Sequence, residues 1–349
     1  MKNNQTNSTP AIRFGVLGCG MIADYHAAAI AVVGGTLAGA SSRSKESAEH
    51  FCSLHNAAWI QSFESMLKSP DIDVIVVCTP SGQHAAQAIA AMRAGKHVVV
   101  EKPMCITLAE ADEIIRVSQE TCRLVSVISQ MRFSDGVRAA KTAVESGMLG
   151  KISCASLSMQ YFRSDAYYAQ AAWRGTWALD GGGCLMNQGI HGIDAFRYIL
   201  GPVESLSGYI ATRTHEIEVE DAACAALKLR CGAPATIDAS TASNPGYPRR
   251  IMVCGSRGSI MLEDTNVIRW DIPDPCPVAL GGGTQNAAAA DPRSLKKLVH
   301  VPQYKNIVAA VNGEEPLVLG AREGREALEI ILGIYRSAAT GERVKIAGQ

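Results

Sequence analysis

Short, uninterrupted apolar runs separated by segments of helical period set the pattern of the first third of the chain. Ile12–Leu17, Leu37–Ser41, Val74–Cys78, His97–Val100 and Leu124–Ser129 lack polar alternation, which predicts strands of a parallel sheet covered on both faces. Between them lie a helical run to Val33, an alanine-rich helix over Gln83–Ala94 stopped by Gly95, and a helix over Leu108–Thr121. Thr107 and Glu110 form a capping box that opens the last of these. Strand alternating with helix predicts an α/β, doubly wound parallel sheet.

After about residue 130 the pattern changes. A helix over Gly136–Ser146 leads to a long strand, Lys151–Tyr161, and a second helix covers Gly183–Leu200. Strand-like segments then follow without intervening helices: Ser205–Thr214, Ala222–Leu229, Ala235–Ala242, Ile251–Cys254, Ser259–Leu262 and Val267–Trp270. Such a run predicts a large open, mostly antiparallel sheet in a C-terminal α+β domain. Asp271–Arg293, with its GGG and AAAA tracts, reads as a long loop, and helices over Tyr304–Val311 and Arg322–Ser337 close the chain. The expected division is a frayed tail over 1–10, a Rossmann-type domain over 11–130 and the α+β domain over 131–349.

Composition narrows the function. At 349 residues, 47% of them apolar, the chain can bury two cores. Its 33 basic and 33 acidic residues balance, and no basic stretch marks a nucleic-acid partner. No apolar run approaches the roughly 20 residues of a membrane span. The opening MKNNQTNSTP lacks the apolar region of a secretory signal. The eleven cysteines contain no CxxC pair, and Cys78, Cys224 and Cys254 stand in apolar context. They read as reduced, buried thiols of a cytoplasmic protein, and no metal is expected.

The first strand runs into Gly18-Cys19-Gly20-Met21-Ile22-Ala23, a G-x-G-x-x-A turn that opens a helix inside a βαβ unit. In that context the glycines admit a pyrophosphate, and the main chain of Met21 and Ile22 begins the helix terminus that receives it. The second strand ends in Ser41, Ser42, Arg43, Ser44 and Lys45, with no acid before Glu46. Hydroxyls and a guanidinium suit a ribose 2′-phosphate, so the expected cofactor is NAD(P), leaning to NADP. Cys78, Thr79 and Pro80 close the fourth strand at its ligand-binding end, and His84 follows close enough to touch a cofactor.

Glu101, Lys102 and Pro103 leave the fifth strand at the same rim. Pro103 restricts Lys102 to extended angles and aims it in one direction. Burial and a cationic nicotinamide both lower a lysine's pKa, and such a group can stabilise an alkoxide as hydride leaves.

The glycine turn, CTP at Cys78–Pro80, EKP at Glu101–Pro103 and GGGCLMNQGIHGID at Gly181–Asp194 together resemble the Gfo/Idh/MocA oxidoreductases over essentially the whole chain. That resemblance implies a Rossmann domain, a C-terminal sheet domain, NAD(P), sugar or polyol substrates, and homo-dimers or homo-tetramers built through the sheet. It implies a proton shuttle at His191 assisted by Lys102, and a contact of Gln130 near the nicotinamide where the family usually carries asparagine. Asn187, four residues before His191, stands where an acid is frequent. An amide there cannot stabilise imidazolium by charge, so a less basic His191 is expected, with more of the proton transfer on Lys102. Asn187, His191 and Asp194 are expected on one helix face.

The segment YFRSDAYYAQAAWRGTW supplies candidate substrate contacts, Tyr161, Arg163, Trp173 and Arg174, to which Asn187, Tyr247, Arg249, Arg250 and His300 are added. Aromatic faces pack on sugar C–H groups and arginines bind carboxylates or phosphates. Arginines facing the pocket would favour an acidic or phosphorylated sugar. The leading expectation is a sugar or polyol dehydrogenase or reductase. The alternatives are a non-catalytic dinucleotide-binding regulator and an NAD-dependent glycoside hydrolase.

Overall fold

The computed structural model describes residues 11–281 and 298–347. The first layer is a six-stranded parallel sheet: β1 Arg13–Leu17, β2 Thr36–Ser41, β3 Ala58–Trp59, β4 Val74–Val77, β5 His97–Val100 and β6 Val125–Val127, in the order β3-β2-β1-β4-β5-β6. The order reverses beside β1 and β4, so a crevice opens at the carboxyl ends of these two strands. Val74, Ile75, Val76 and Val77 are all fully buried, as unalternating strands demand. The expected capping box is present: Thr107 Oγ1 accepts from Glu110 N–H at 3.2 Å and Glu110 Oε2 accepts from Thr107 N–H at 3.0 Å. The two-residue β3 is exposed and too short to leave a pattern in the sequence.

The second layer is an eight-stranded sheet of β7 Ile152–Gln160, β8 Val203–Ala211, β9 Ala222–Leu229, β10 Pro234–Ser240, β11 Arg250–Gly255, β12 Ser259–Glu263, β13 Asn266–Asp271 and β14 Val344–Lys345. Its order is β13-β12-β11-β7-β10-β9-β8-β14. Every pairing is antiparallel except β7 with β10, where Leu157 lies opposite Ile237. One face packs on the helices Asp135–Glu145, Ile190–Leu200 and Ala321–Thr340. The other face is open and carries Cys224, Ala226 and Lys228 of β9 outward. Cys224 therefore departs from the buried position expected of it, because strand alternation and not the apolar neighbourhood sets its direction. Cys254 and Cys78 are half-buried.

Two boundaries also differ. The helix Val301–Val311 returns to the first layer, where Tyr304 is buried against Phe14 with ring centroids 5.8 Å apart. Residues beyond 131 thus do not all belong with the second sheet. The expected continuous helix over Gly183–Leu200 is a π-helical turn, Cys184–Gly189, followed by an α-helix, Ile190–Leu200. Buried Glu220 shapes the start of that turn, accepting from Gly183 N–H and Leu185 N–H at 2.9 Å each. Of the long loop expected over 271–293, residues 282–293 lie outside the described residues, as does the tail over 1–10.

Candidate active site

The glycine turn fits a dinucleotide. Gly18 has φ of +95° and donates to Ser41 O at 2.8 Å; a Cβ there would lie 2.7 Å from Cys78 O. Only glycine lets β1 turn this tightly between its neighbours. A Cβ on Gly20 would meet nothing within 4 Å, so the main chain faces open space there. The helix Ala23–Val32 that follows has no side-chain cap; Ala23 N–H and Tyr25 N–H turn to Gly20 O and Ile22 O, and the positive end of the helix dipole faces the glycine turn. Met21 is exposed and Ile22 is the N-cap residue. At the end of β2, Ser44 caps the helix Lys45–His55 and its hydroxyl is committed to Ser47 N–H and Glu46. Ser42 is half-buried, and exposed Arg43 makes no hydrogen bond or ion pair among the described residues. Gln130 opens the 3-10 turn Gln130–Phe133 after β6, and its Oε1 is buried without a partner. A donor such as a carboxamide N–H would satisfy it.

The other expected cofactor contacts divide. Cys78 N–H donates to Leu17 O at 2.8 Å, and Thr79 Oγ1 donates to Gln87 Oε1, which fixes the rim beside Pro80. His84 is buried with Nδ1 2.7 Å from Pro103 O and Nε2 2.7 Å from Thr79 O. Burial keeps the ring neutral near pH 7, so its one N–H donates to one of these carbonyls while the other nitrogen lies against the second, and His84 packs between the two rim segments. Glu101 also turns inward. Its Oε1 accepts from His26 Nε2 at 3.0 Å and its Oε2 from Lys102 N–H at 3.1 Å. Burial works against its charge, but the His26 hydrogen bond and neighbouring cations hold the carboxyl below its usual range. Tyr304 hydroxyl sits 2.7 Å from His26 Nδ1 and completes the anchor.

With its neighbour anchored, Lys102 reaches across the crevice. Its Nζ donates to Asn187 O at 2.7 Å and to Asn187 Oδ1 at 3.3 Å, inside the π-helical turn. An ammonium carries three N–H groups, so one remains for a ligand. Burial draws the Lys102 ammonium below its ordinary pKa. His191 follows Asn187 by one turn and is close enough to feel the Lys102 charge. Burial first, then that charge, hold its imidazole down to about 3, so it is neutral near pH 7. The main cause is desolvation, which is separate from the amide at Asn187 on which the expectation rested.

Asp194 does not share this face. It accepts from Arg132 Nε at 2.8 Å, Arg132 NH2 at 2.5 Å and Ser129 Oγ at 2.5 Å. The carboxylate clamps the His191 helix to the turn that carries Gln130.

The aromatic and arginine segment surrounds the lysine. Arg163 is buried and gives Nε and NH2 to Gln188 Oε1 at 3.0 and 2.8 Å. Arg174 stacks over Tyr167 at 4.3 Å and Trp173 at 5.1 Å, and its Nε is buried without a partner. Both guanidinium charges act on Lys102. Arg249 acts on His191, donates to Tyr161 hydroxyl at 3.2 Å, and also leaves Nε without a partner. Tyr247 is 57% exposed on a loop, and its N–H donates to Gln160 O. His300 is buried and stacks on His26 with ring centroids 5.1 Å apart; its Nδ1 is buried without a partner, and it acts on both Glu101 and His191. Arg250 pairs with Glu263 on β11 and β12.

Two polar residues of the site escaped the sequence. Gln188 links Arg163 to Asn187, donating to Asn187 Oδ1 at 3.3 Å. Asp180 is buried and accepts from Asn187 Nδ2 at 2.6 Å and Gly175 N–H at 2.9 Å. Its place just before three glycines was the only signal available.

A family model described as an oxidoreductase family with an NAD-binding Rossmann fold matches residues 12–129, and the GFO/IDH/MocA C-terminal domain model matches 137–261. Among solved structures, the WlbA dehydrogenase of Bordetella pertussis in complex with NADH and UDP-GlcNAcA is 31% identical, with a TM-score of 0.87 over 96% of this chain and 99% of that one. Among curated proteins, the 1,5-anhydro-D-fructose reductase of Ensifer adhaerens is 26% identical over 96% of this chain and 98% of its own length. The myo-inositol 2-dehydrogenase of Thermotoga maritima is 26% identical over 74% of this chain and 78% of its own. The chain belongs to the GFO/IDH/MocA family of NAD(P)-binding oxidoreductases.

Proposed function

We propose that the protein is an NAD(P)-dependent dehydrogenase or reductase of a secondary alcohol on an anionic sugar, with a nucleotide-linked sugar acid as the favoured substrate class. Arg174 carries this reading. It is a stacked guanidinium beside Lys102 that has a buried Nε without a partner and no ion pair among the described residues. Arg163 adds positive charge at Lys102, and Arg249, paired with Asp264 at 3.5 Å, adds it at His191. A pocket of that sign suits a carboxylate or diphosphate. The relative that binds UDP-GlcNAcA supports the same class.

The nicotinamide, when bound, supplies the hydride acceptor or donor. The free N–H of Lys102 hydrogen-bonds the substrate oxygen and stabilises its negative charge. Neutral His191 takes the hydroxyl proton in oxidation and returns it in reduction. Asn187 holds the ammonium in place through its two oxygens.

A panel of UDP-linked sugar acids, the matching neutral UDP-sugars and myo-inositol, each with NAD and NADP, tests the reading by absorbance of the reduced nicotinamide. Turnover of the acids and its loss in the neutral analogues is expected. Arg174→Ala should raise KM for the acid by about 10- to 100-fold, the worth of a charged hydrogen bond. Equal kcat/KM for neutral and acidic substrates would overturn the anionic class.

The end of β2 supports NADP. Ser42 and unpaired Arg43 offer donors to a 2′-phosphate, and the first acid, Glu46, is held by Ser44. Arg43→Asp is expected to reverse the preference, lowering kcat/KM with NADP by about tenfold or more while improving NAD. An unchanged NADP/NAD ratio would remove Arg43 from the cofactor site.

Three coarser features complete the proposal. The division of the chain lies near residue 130, with Val301–Val311 packed back on the first domain. The open face of the eight-stranded sheet supports a homo-dimer or homo-tetramer. All eleven cysteines are free, which supports a reducing, cytoplasmic setting; no helix among the described residues is long and apolar enough to cross a membrane.

A further inference from the structure

We infer that Asp180 is the positioning residue of the catalytic lysine: its carboxylate orients the Asn187 amide, and the amide orients Lys102. The inference rests on the reading of Lys102 as the cation at the substrate oxygen. Asp180 is 1% exposed and comes from the segment before the triple glycine, not from the helix that carries His191. Its Oδ2 accepts from Gly175 N–H at 2.9 Å and its Oδ1 from Asn187 Nδ2 at 2.6 Å. An amide whose nitrogen is committed to a carboxylate must turn its oxygen the other way. That oxygen accepts from Lys102 Nζ and from Gln188 Nε2, each at 3.3 Å.

In the order carboxylate, amide, ammonium, every donor meets an acceptor. The flipped amide would set N–H against ammonium and oxygen against carboxylate, two repulsive contacts in a desolvated site. Lys102 and Gln188 favour the oxygen on their side, and Asp180 holds the nitrogen on the other with the shortest of these contacts, so the carboxylate locks the orientation from the far end. The main-chain carbonyl of Asn187 then receives a second Lys102 N–H at 2.7 Å, which leaves the third aimed away from the turn.

The charged surroundings isolate this carboxylate as the partner of Lys102. Glu101, the other acid acting on Lys102, is spent on His26. Arg174, Arg163 and Tyr167 border the same space, and the two arginines oppose the lysine charge. Burial pushes Asp180 up to about 6, with Gly175 N–H, Lys102, Asn187 and Arg174 holding it from rising further. As pH falls through that value the carboxyl gains a proton and becomes a donor. It then no longer holds the amide nitrogen, and Lys102 keeps its bond to Asn187 O while its second contact, to Asn187 Oδ1, is no longer fixed.

The test compares D180N, N187D, the double variant D180N/N187D and K102A, with kcat and KM followed against pH and NADH affinity followed by fluorescence. In D180N, kcat should fall about 10²-fold, the size of a small misplacement at a reacting centre. KM and NADH affinity should stay near those of the parent, and the acid limb of the kcat profile should disappear. N187D places two carboxylates in contact and should move that limb upward. The double variant places the carboxylate directly on the ammonium with an amide behind it, and should recover most of kcat. An unaltered D180N profile beside an inactive K102A overturns this inference alone. So does a D180N defect that lowers kcat, raises KM and weakens NADH together without recovery in the double variant. Parental kcat in K102A overturns the catalytic reading and this inference with it. If D180N fails to fold, N187A cuts the same link and should give the same selective loss of kcat; its retention of full kcat is the contrary result.

Discussion

Lys102→Ala should lower kcat by about 10²- to 10⁴-fold and leave NADH affinity nearly unchanged. The lysine stands at the rim of the crevice, where β5 ends, but it touches no element of the glycine turn that would hold the pyrophosphate. Two of its N–H groups are spent on Asn187, and the third is the one positioned donor to the developing alkoxide. Arginine should not replace it. A planar guanidinium cannot give two bonds to the adjacent oxygens of Asn187 and a third into the crevice with the same geometry. Stopped-flow absorbance with saturating cofactor separates the hydride step from binding, and a parallel fluorescence titration gives NADH affinity. A Lys102→Ala enzyme with parental kcat would remove the ammonium from the mechanism.

Asp194→Ala is expected to destabilise the fold by about 3–5 kcal/mol. Asp194 and Arg132 are both almost fully buried, with side-chain exposures of 4% and 3%. The carboxylate takes two bonds from the guanidinium and one from Ser129, so its removal strands a cation in the interior. The damage would spread along the contacts on the page. Ser129 N–H is held by Gln303 Oε1 at 3.1 Å, and Gln303 also donates to Val127 O at 2.7 Å. The turn that carries Gln130 is therefore fixed from both the His191 helix and the helix Val301–Val311. Denaturant unfolding should show a lower midpoint, and NADH should bind more weakly. Asp194→Asn, which keeps the shape and one acceptor, should lose less. Equal stability of Asp194→Ala and the parent would mean that the pair contributes nothing net over a neutral interior.

The site was unevenly legible. Gly18, Gly20 and Lys102 were singled out by their position at the end of a strand or the start of a helix, and His191 by the family resemblance. The reading erred where a side chain could turn either way. Glu101 and His84 stand beside ligand-facing positions in sequence yet turn to His26 and to main-chain carbonyls. Asp194 was grouped with His191 by helical spacing, and the competing attraction of Arg132 decided otherwise. Asp180 was missed because its partner lies seven residues away across a glycine bend, a separation with no periodicity.

The sequence by itself determined the alternation of buried strands and helices, the glycine turn and the cation at the end of the fifth strand. These follow from local rules: the burial of both faces of a parallel strand, the positive φ of Gly18, and the extended backbone imposed before Pro103. Only the tertiary structure decided which polar groups face the crevice and which face each other. A buried donor or acceptor goes to whichever partner the packed chain brings within about 3 Å, and that partner comes from elsewhere in the sequence. The π-helical turn belongs to the same class, since Glu220 and Lys102, far apart along the chain, grip it from its two sides.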